Sequence, residues 1–137
     1  AETKIDIFKS YNIKKSLGGS GNLCMNLKKL NINFKLYSEI GKDYVGDEVK
    51  KLLIKNKINY SILRKKKITS NKKRVFIKEK QIFRQDIEDT INTPDVGKSL
   101  LKDIKPNDIV IISDYKKGVI YKKLHSEMIK KKMFNIY

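Results

Sequence analysis

Within residues 17–30, LGGSGNLCMNLKKL, two glycines, a serine, a third glycine and an asparagine run directly into a helical pattern. Glycine admits positive φ and lets a ligand lie against the backbone, and the first turn of a helix presents N–H groups with no partner inside it. A corner built on Gly18 and Gly19 therefore suits a polar or anionic ligand. Asn22 adds an amide that both donates and accepts, as discrimination among hydroxyls requires. A tight connection ending in a helix cap would use the same glycines, and the local sequence leaves both readings open. The spacing departs from the G-x-G-x-x-G of dinucleotide-binding folds, which disfavours a nicotinamide or flavin site. A second place for chemistry is SDYKKG at 113–118, where Asp114 follows an apolar run at the end at which open α/β sheets bind ligands. The lone histidine, His125, falls on a basic helical stretch and reads as a surface residue rather than a base.

Helices and strands in alternation would have to position these groups. The pattern after the glycines predicts a helix with Leu23, Leu27 and Leu30 on one face. Residues 1–14 alternate through Ile5, Ile7 and Ile13 as a strand or hairpin with one covered face. Residues 33–40, NFKLYSEI, set Phe34, Leu36 and Ser38 against Lys35, Tyr37 and Glu39, as a strand does. GKDYVGDEV then gives an acidic, glycine-punctuated loop and a helix turning Val49, Leu52 and Leu53 inward. A short strand at 60–63 leads to hairpin grammar, with Val75 and Ile77 alternating against Phe76 and Lys78, a turn at EKQ, and a return through 82–84. A short helix at 96–103 ends before Pro106, and DIVIIS at 108–113 has the continuous apolar run of a parallel strand buried on both faces. A basic helix over 119–132 and the apolar start MFNIY complete the alternation of an α/β domain.

Composition narrows the partners. The 137 residues carry a formal charge of +17 and are 39% apolar, enough for one domain with a core. Such charge raises a nucleic-acid partner, but only Arg64, Arg74 and Arg84 among the 32 basic residues are arginines, and few aromatics interleave the basic runs for base stacking. The lysine, isoleucine and asparagine excess is what an AT-rich genome writes onto solvated surfaces. No run is long enough to span a bilayer and the start AETKIDIF lacks signal-peptide character, so the expectation is a cytoplasmic protein without a membrane partner. The single cysteine, Cys24, excludes an internal disulfide and fits a packing role. The absence of an initiator methionine points to a start inside a longer protein.

With these pieces in order, the sequence resembles the ribokinase-type (PfkB) carbohydrate kinases, and among them the D-glycero-β-D-manno-heptose 7-phosphate kinases of lipopolysaccharide-core (ADP-heptose) biosynthesis. GGSGN resembles G-G-x-x-N-V-A-x-N, with Asn26 in the place of the later asparagine; GKDYVGDEV resembles G-x-D-x-x-G through Gly41, Asp43 and Gly46. TSNKKRVF resembles T-x-T-K-x-R through Thr69, Lys72 and Arg74, with Asn71 replacing a threonine. FRQDIED resembles R-x-D-x-E, and ISDYKKGV resembles S-D-Y-x-K-G-V.

The resemblance implies a partial ribokinase-like fold: a mostly parallel sheet with flanking helices and a small β lid, residues 1–137 being a single incomplete carbohydrate kinase domain with lid strands near 1–14 and 60–84. It implies that Gly18, Gly19 and Asn22 line the sugar pocket, that Lys72, Arg74 and Arg84 belong to the lid and its phosphate-facing side, and that Asp114 and Lys117 lie near the substrate. Forked guanidinium groups hold a phosphate bidentately, although Arg74 and Arg84 would equally pair with Asp86 or Glu88. Asp43 either caps the helix behind its loop or serves the site. Implied cofactors are ATP and Mg²⁺, and the implied partners are a sugar phosphate and a second copy through the lid. The family's G-A-G-D element, carrying the catalytic base and the anion hole, is not in this sequence, nor is the earlier strand whose aspartate grips the sugar. The 137 residues then hold the acceptor half and the lid, with no catalytic base.

Overall fold

The computed structural model describes residues 12–89, 95–116, 120–121, 123–130 and 134–136. Helix α1 (Ser20–Lys29) leads into a parallel β-α-β unit of strand β1 (Leu36–Gly41), helix α2 (Tyr44–Lys55) and strand β2 (Tyr60–Lys66), with Leu36 opposite Tyr60. Strands β3 (Asn71–Ile77) and β4 (Lys80–Ile87) form an antiparallel hairpin. Helix α3 (Asp95–Asp103), strand β5 (Ile109–Ile111), helix α4 (Leu124–Lys130) and strand β6 (Phe134–Ile136) follow, β5 and β6 pairing in parallel. This mixture of parallel pairs, hairpin and four helices is the α/β arrangement that the resemblance to a partial ribokinase-like fold implies.

Two apolar clusters hold it. Cys24 of α1, Leu53 of α2 and Ile58 are buried together, with Val49, Leu36 and Ile62 packed against them, so α1 and α2 cover one face of β1 and β2. Helix α3 covers the other: Ser61 and Ser99 hydroxyls lie 3.3 Å apart, and Tyr37 donates to Asp103 at 2.7 Å. The second cluster joins Val110, Leu124 and Met128 to Leu100 and Leu101 of α3 and to Ile104 just after it. At Gly97 a β-carbon would stand 2.5 Å from the Tyr121 ring, so glycine is what lets α3 sit this close to the segment before α4.

Several expectations shift. On α1 the buried positions are Gly21 and Cys24, while Leu30 lies past the last turn as the C-cap and is exposed. The expected alternation of 33–40 gives way to burial on both faces at Glu39–Gly41, because α3 closes the second face. The reverse holds for DIVIIS: only 109–111 form a strand, and Val110 alone is buried, Ile109 remaining 64% exposed. Helices α3 and α4 both pack on the Val110 side, and no described element covers the other. The strand expected at 60–63 runs to Lys66 and belongs to the parallel pair, so the range grouped as lid divides between the sheet and the hairpin. The hairpin turn is Lys78–Glu79, with Lys78 at φ 54°, rather than EKQ. The last helix is shorter than 119–132 because residues 120–121 are irregular. Of the expected first strand, residues 1–11 lie outside the described residues and 12–14 are irregular.

Candidate functional site

The glycine corner is a backbone construction. Gly19 precedes α1 at φ 48°, ψ −122°, a conformation that L side chains rarely adopt. The chain closes on itself there, Gly21 N–H donating to Gly18 at 2.9 Å and Asn22 N–H to Gly19 at 3.1 Å. No side chain caps the helix start. A β-carbon at Gly18 would meet nothing within 4 Å, whereas at Gly21 it would stand 2.5 Å from Leu17 Cβ. Gly18 is open to a ligand and Gly21 serves packing.

Over this corner lies an aromatic ring. A β-carbon placed on Gly19 would come within 3.4 Å of the Tyr115 ring, so Tyr115 packs directly on Gly19 across almost a hundred residues of sequence. Asp114, beside that tyrosine, is exposed, and its carboxylate accepts from Lys116 N–H at 2.7 Å, which holds the turn. Lys117 lies outside the described residues.

Hairpin register sorts the basic residues. Lys72 stands opposite Asp86, and Arg74 opposite Arg84, so all four share one face. On it, Arg84 forks onto Asp86 at 2.9 and 2.6 Å, and Lys72 reaches Asp86 at 3.2 Å and Glu88 at 3.9 Å. The Arg84 guanidinium, with help from Lys72, holds the Asp86 carboxyl far below the usual carboxylate range. Arg74 makes no such ion pair with a described residue. Lys72 and Arg74 line the same broad, open concavity as Gly18, Gly19, Asp114 and Tyr115; Asn22 and Arg84 are exposed and do not.

Residues 4–135 match the family described as pfkB family carbohydrate kinase. The chain belongs to this carbohydrate kinase family. Bifunctional protein HldE of Aliarcobacter butzleri is 40% identical over 128 residues, 86% of this chain and 27% of its own length. Bifunctional protein HldE of Campylobacter fetus subsp. fetus is 33% identical over 134 residues, 94% of this chain and 29% of its own. An uncharacterized sugar kinase of Buchnera aphidicola is 28% identical over 123 residues, 87% of this chain and 39% of its own. The chain spans less than a third of the length of these two HldE proteins.

Within this pfkB-family chain a third assembly joins the G-x-D-x-x-G loop to the threonine before β3. Asp43 caps α2 by accepting from Gly46 N–H at 3.0 Å. The same carboxylate accepts from the Thr69 hydroxyl at 2.5 Å and from Thr69 N–H at 3.0 Å. Thr69 is buried, and its oxygen accepts in turn from Gly41 N–H at 2.8 Å. Burial pushes the Asp43 carboxyl up, but the donors from Thr69 and Gly46 outweigh it and leave it below the ordinary value. Arg64 braces the loop, donating to Gly41 C=O at 3.3 Å and pairing with Asp47 at 2.8 Å.

Sequence reasoning gave no role to Tyr115, Thr69 or Arg64. Glycine at a Cβ-excluding corner signals a close neighbour but does not name it, and a threonine hydroxyl 26 residues from its aspartate leaves no periodic trace. Burial pushes the Cys24 thiol up, consistent with packing rather than reactivity, and His125 is exposed on α4. Among the described residues no helix is long and apolar enough to cross a membrane, and no three His, Cys, Asp or Glu side chains cluster as metal ligands.

Proposed function

We propose that this chain is the acceptor side of an ATP-dependent sugar kinase acting on D-glycero-β-D-manno-heptose 7-phosphate in the cytoplasm. The observation that carries the reading is the meeting of Gly19 and Tyr115, from two motifs almost a hundred residues apart; Lys72 and Arg74 border the same open side of the molecule. Backbone N–H groups and the Asp114 carboxylate suit sugar hydroxyls, and the two cations suit a phosphate at the far end of the sugar. Asn22 and Arg84 belong to the same site by the family resemblance alone, since neither lines the concavity. ATP brings the transferred phosphoryl group and Mg²⁺ neutralises its charge. The residues present do not build a nucleotide site, since no Gly-Ala-Gly-Asp element occurs in the sequence. In the working enzyme that site and the base come from residues outside these 137, and the 137-residue chain alone transfers no phosphate.

The test is ADP release by the full-length product of the gene with ATP, Mg²⁺ and heptose 7-phosphate. Stimulation by this sugar phosphate is expected, and none from the 137-residue chain. Equal turnover with and without heptose 7-phosphate would overturn the reading. Phe76 and Phe83, each about half exposed on the hairpin, support a second role for the same element, pairing with a second copy. Sedimentation of the full-length protein as a monomer at micromolar concentration would remove that role.

A further inference from the structure

The hairpin packs on itself and makes no extended contact with the helices or the parallel strands among the described residues. Its two stems are tied to each other where Lys67 N–H donates to Asp89 at 3.3 Å, which leaves open what aims the hairpin. The Asp43–Thr69 assembly stands at that root, since Thr69 lies two residues before β3. Capping α2 needs one oxygen of Asp43 and the Gly46 N–H. The rest of the carboxylate's capacity goes to Thr69, whose hydroxyl also takes the Gly41 N–H at the end of β1. The hydroxyl has one proton, and with Gly41 donating to its oxygen that proton belongs to Asp43. No space is left around the joint. A β-carbon at Gly46 would stand 2.5 Å from Gly41 O and 2.9 Å from Thr69 Oγ1, and one at Gly41 2.5 Å from Thr69 N.

We propose that Asp43 and Thr69 are positioning residues for the hairpin: through them the loop after β1 grips the root of β3 and sets Lys72 and Arg74 against the concavity. The grip is independent of any ligand; its consequence for a sugar phosphate rests on the sugar-kinase reading. Two substitutions separate the joint from the cap. Thr69→Val keeps the shape and the N–H but removes the hydroxyl, leaving Asp43 to cap α2; Thr69→Ser keeps the hydroxyl.

Amide hydrogen exchange of the full chain reads the result without ligand. Thr69→Val is expected to speed exchange across residues 71–87 by about tenfold, the loss of one charge-assisted hydrogen bond, while α2 changes by less than about twofold. Thr69→Ser is expected to keep the parent's protection. Unchanged hairpin exchange in Thr69→Val, or an equal rise in α2 and hairpin, overturns the proposal. In the full-length gene product, heptose 7-phosphate is expected to bind about tenfold more weakly to Thr69→Val and normally to Thr69→Ser. Unchanged affinity in Thr69→Val overturns the positioning of the cations while the kinase reading stands. A parent protein that fails to bind this sugar phosphate overturns the kinase reading, and the exchange result then decides the joint by itself.

Discussion

The glycine corner and the cationic face of the hairpin meet the same concavity with opposite materials. The corner is backbone, fixed by the φ of Gly19 and by the Tyr115 ring on top of it. The hairpin face is made of long exposed side chains, and Arg84 is already spent on Asp86. A ligand would meet backbone at the first, and at the second would compete with Asp86 for Arg84 but not for Arg74. On the sugar-kinase reading, selectivity for shape would reside in the corner, and selectivity for charge in whichever cation is not engaged.

That contrast breaks most readily at Gly19. Gly19→Ala places a side chain at positive φ against the Tyr115 ring and is expected to cost about 1–3 kcal/mol, read from urea unfolding. A full-strength fold in this variant would mean that the corner relaxes and is not the rigid partner. Next comes the division between the arginines. In the full-length gene product, Arg74→Ala is expected to weaken heptose 7-phosphate binding about tenfold by calorimetry. Arg84→Ala is expected to weaken it less, because its guanidinium must first leave Asp86; equal losses would show that Asp86 does not compete. The smallest and most gradual effect is acid on the joint that aims the hairpin. Asp43 lies below its ordinary value in the folded chain, so the unfolded chain takes up a proton first. The stability this group contributes is present above the usual carboxylate range and lost as pH falls through the depressed value. As pH falls through and below the usual carboxylate range, hairpin exchange should therefore rise more steeply in the parent than in Asp43→Asn, and parallel curves would show that another carboxylate carries the effect.

Periodicity located the elements better than it located their surroundings. The helix carrying Val49 and Leu53, the hairpin and the parallel strands are legible because side-chain spacing reports local conformation. What covers a strand is set by elements distant in sequence. Thus NFKLYSEI, read as one-sided, is closed on its second face by α3, and DIVIIS, read as doubly buried, has both helices on the Val110 side. The same limit governs the site. Gly18 and Gly19 were legible as a tight corner before a helix, but Asn22 was placed by its pattern and lies outside the concavity. Of the two readings of Asp43 the structure shows the cap, together with a contact to Thr69 that only the folded chain brings about.

Helix α3 is shared, with Ser99 and Asp103 toward the second face of β1 and β2 and Leu100 and Leu101 toward the cluster of Val110 and Met128. Gly97 sets how closely its first turn approaches Tyr121 and Leu124. A wall common to two rooms cannot be removed from one of them alone. The two halves of the α/β core are thereby one melting unit, and heat should open them in a single cooperative step.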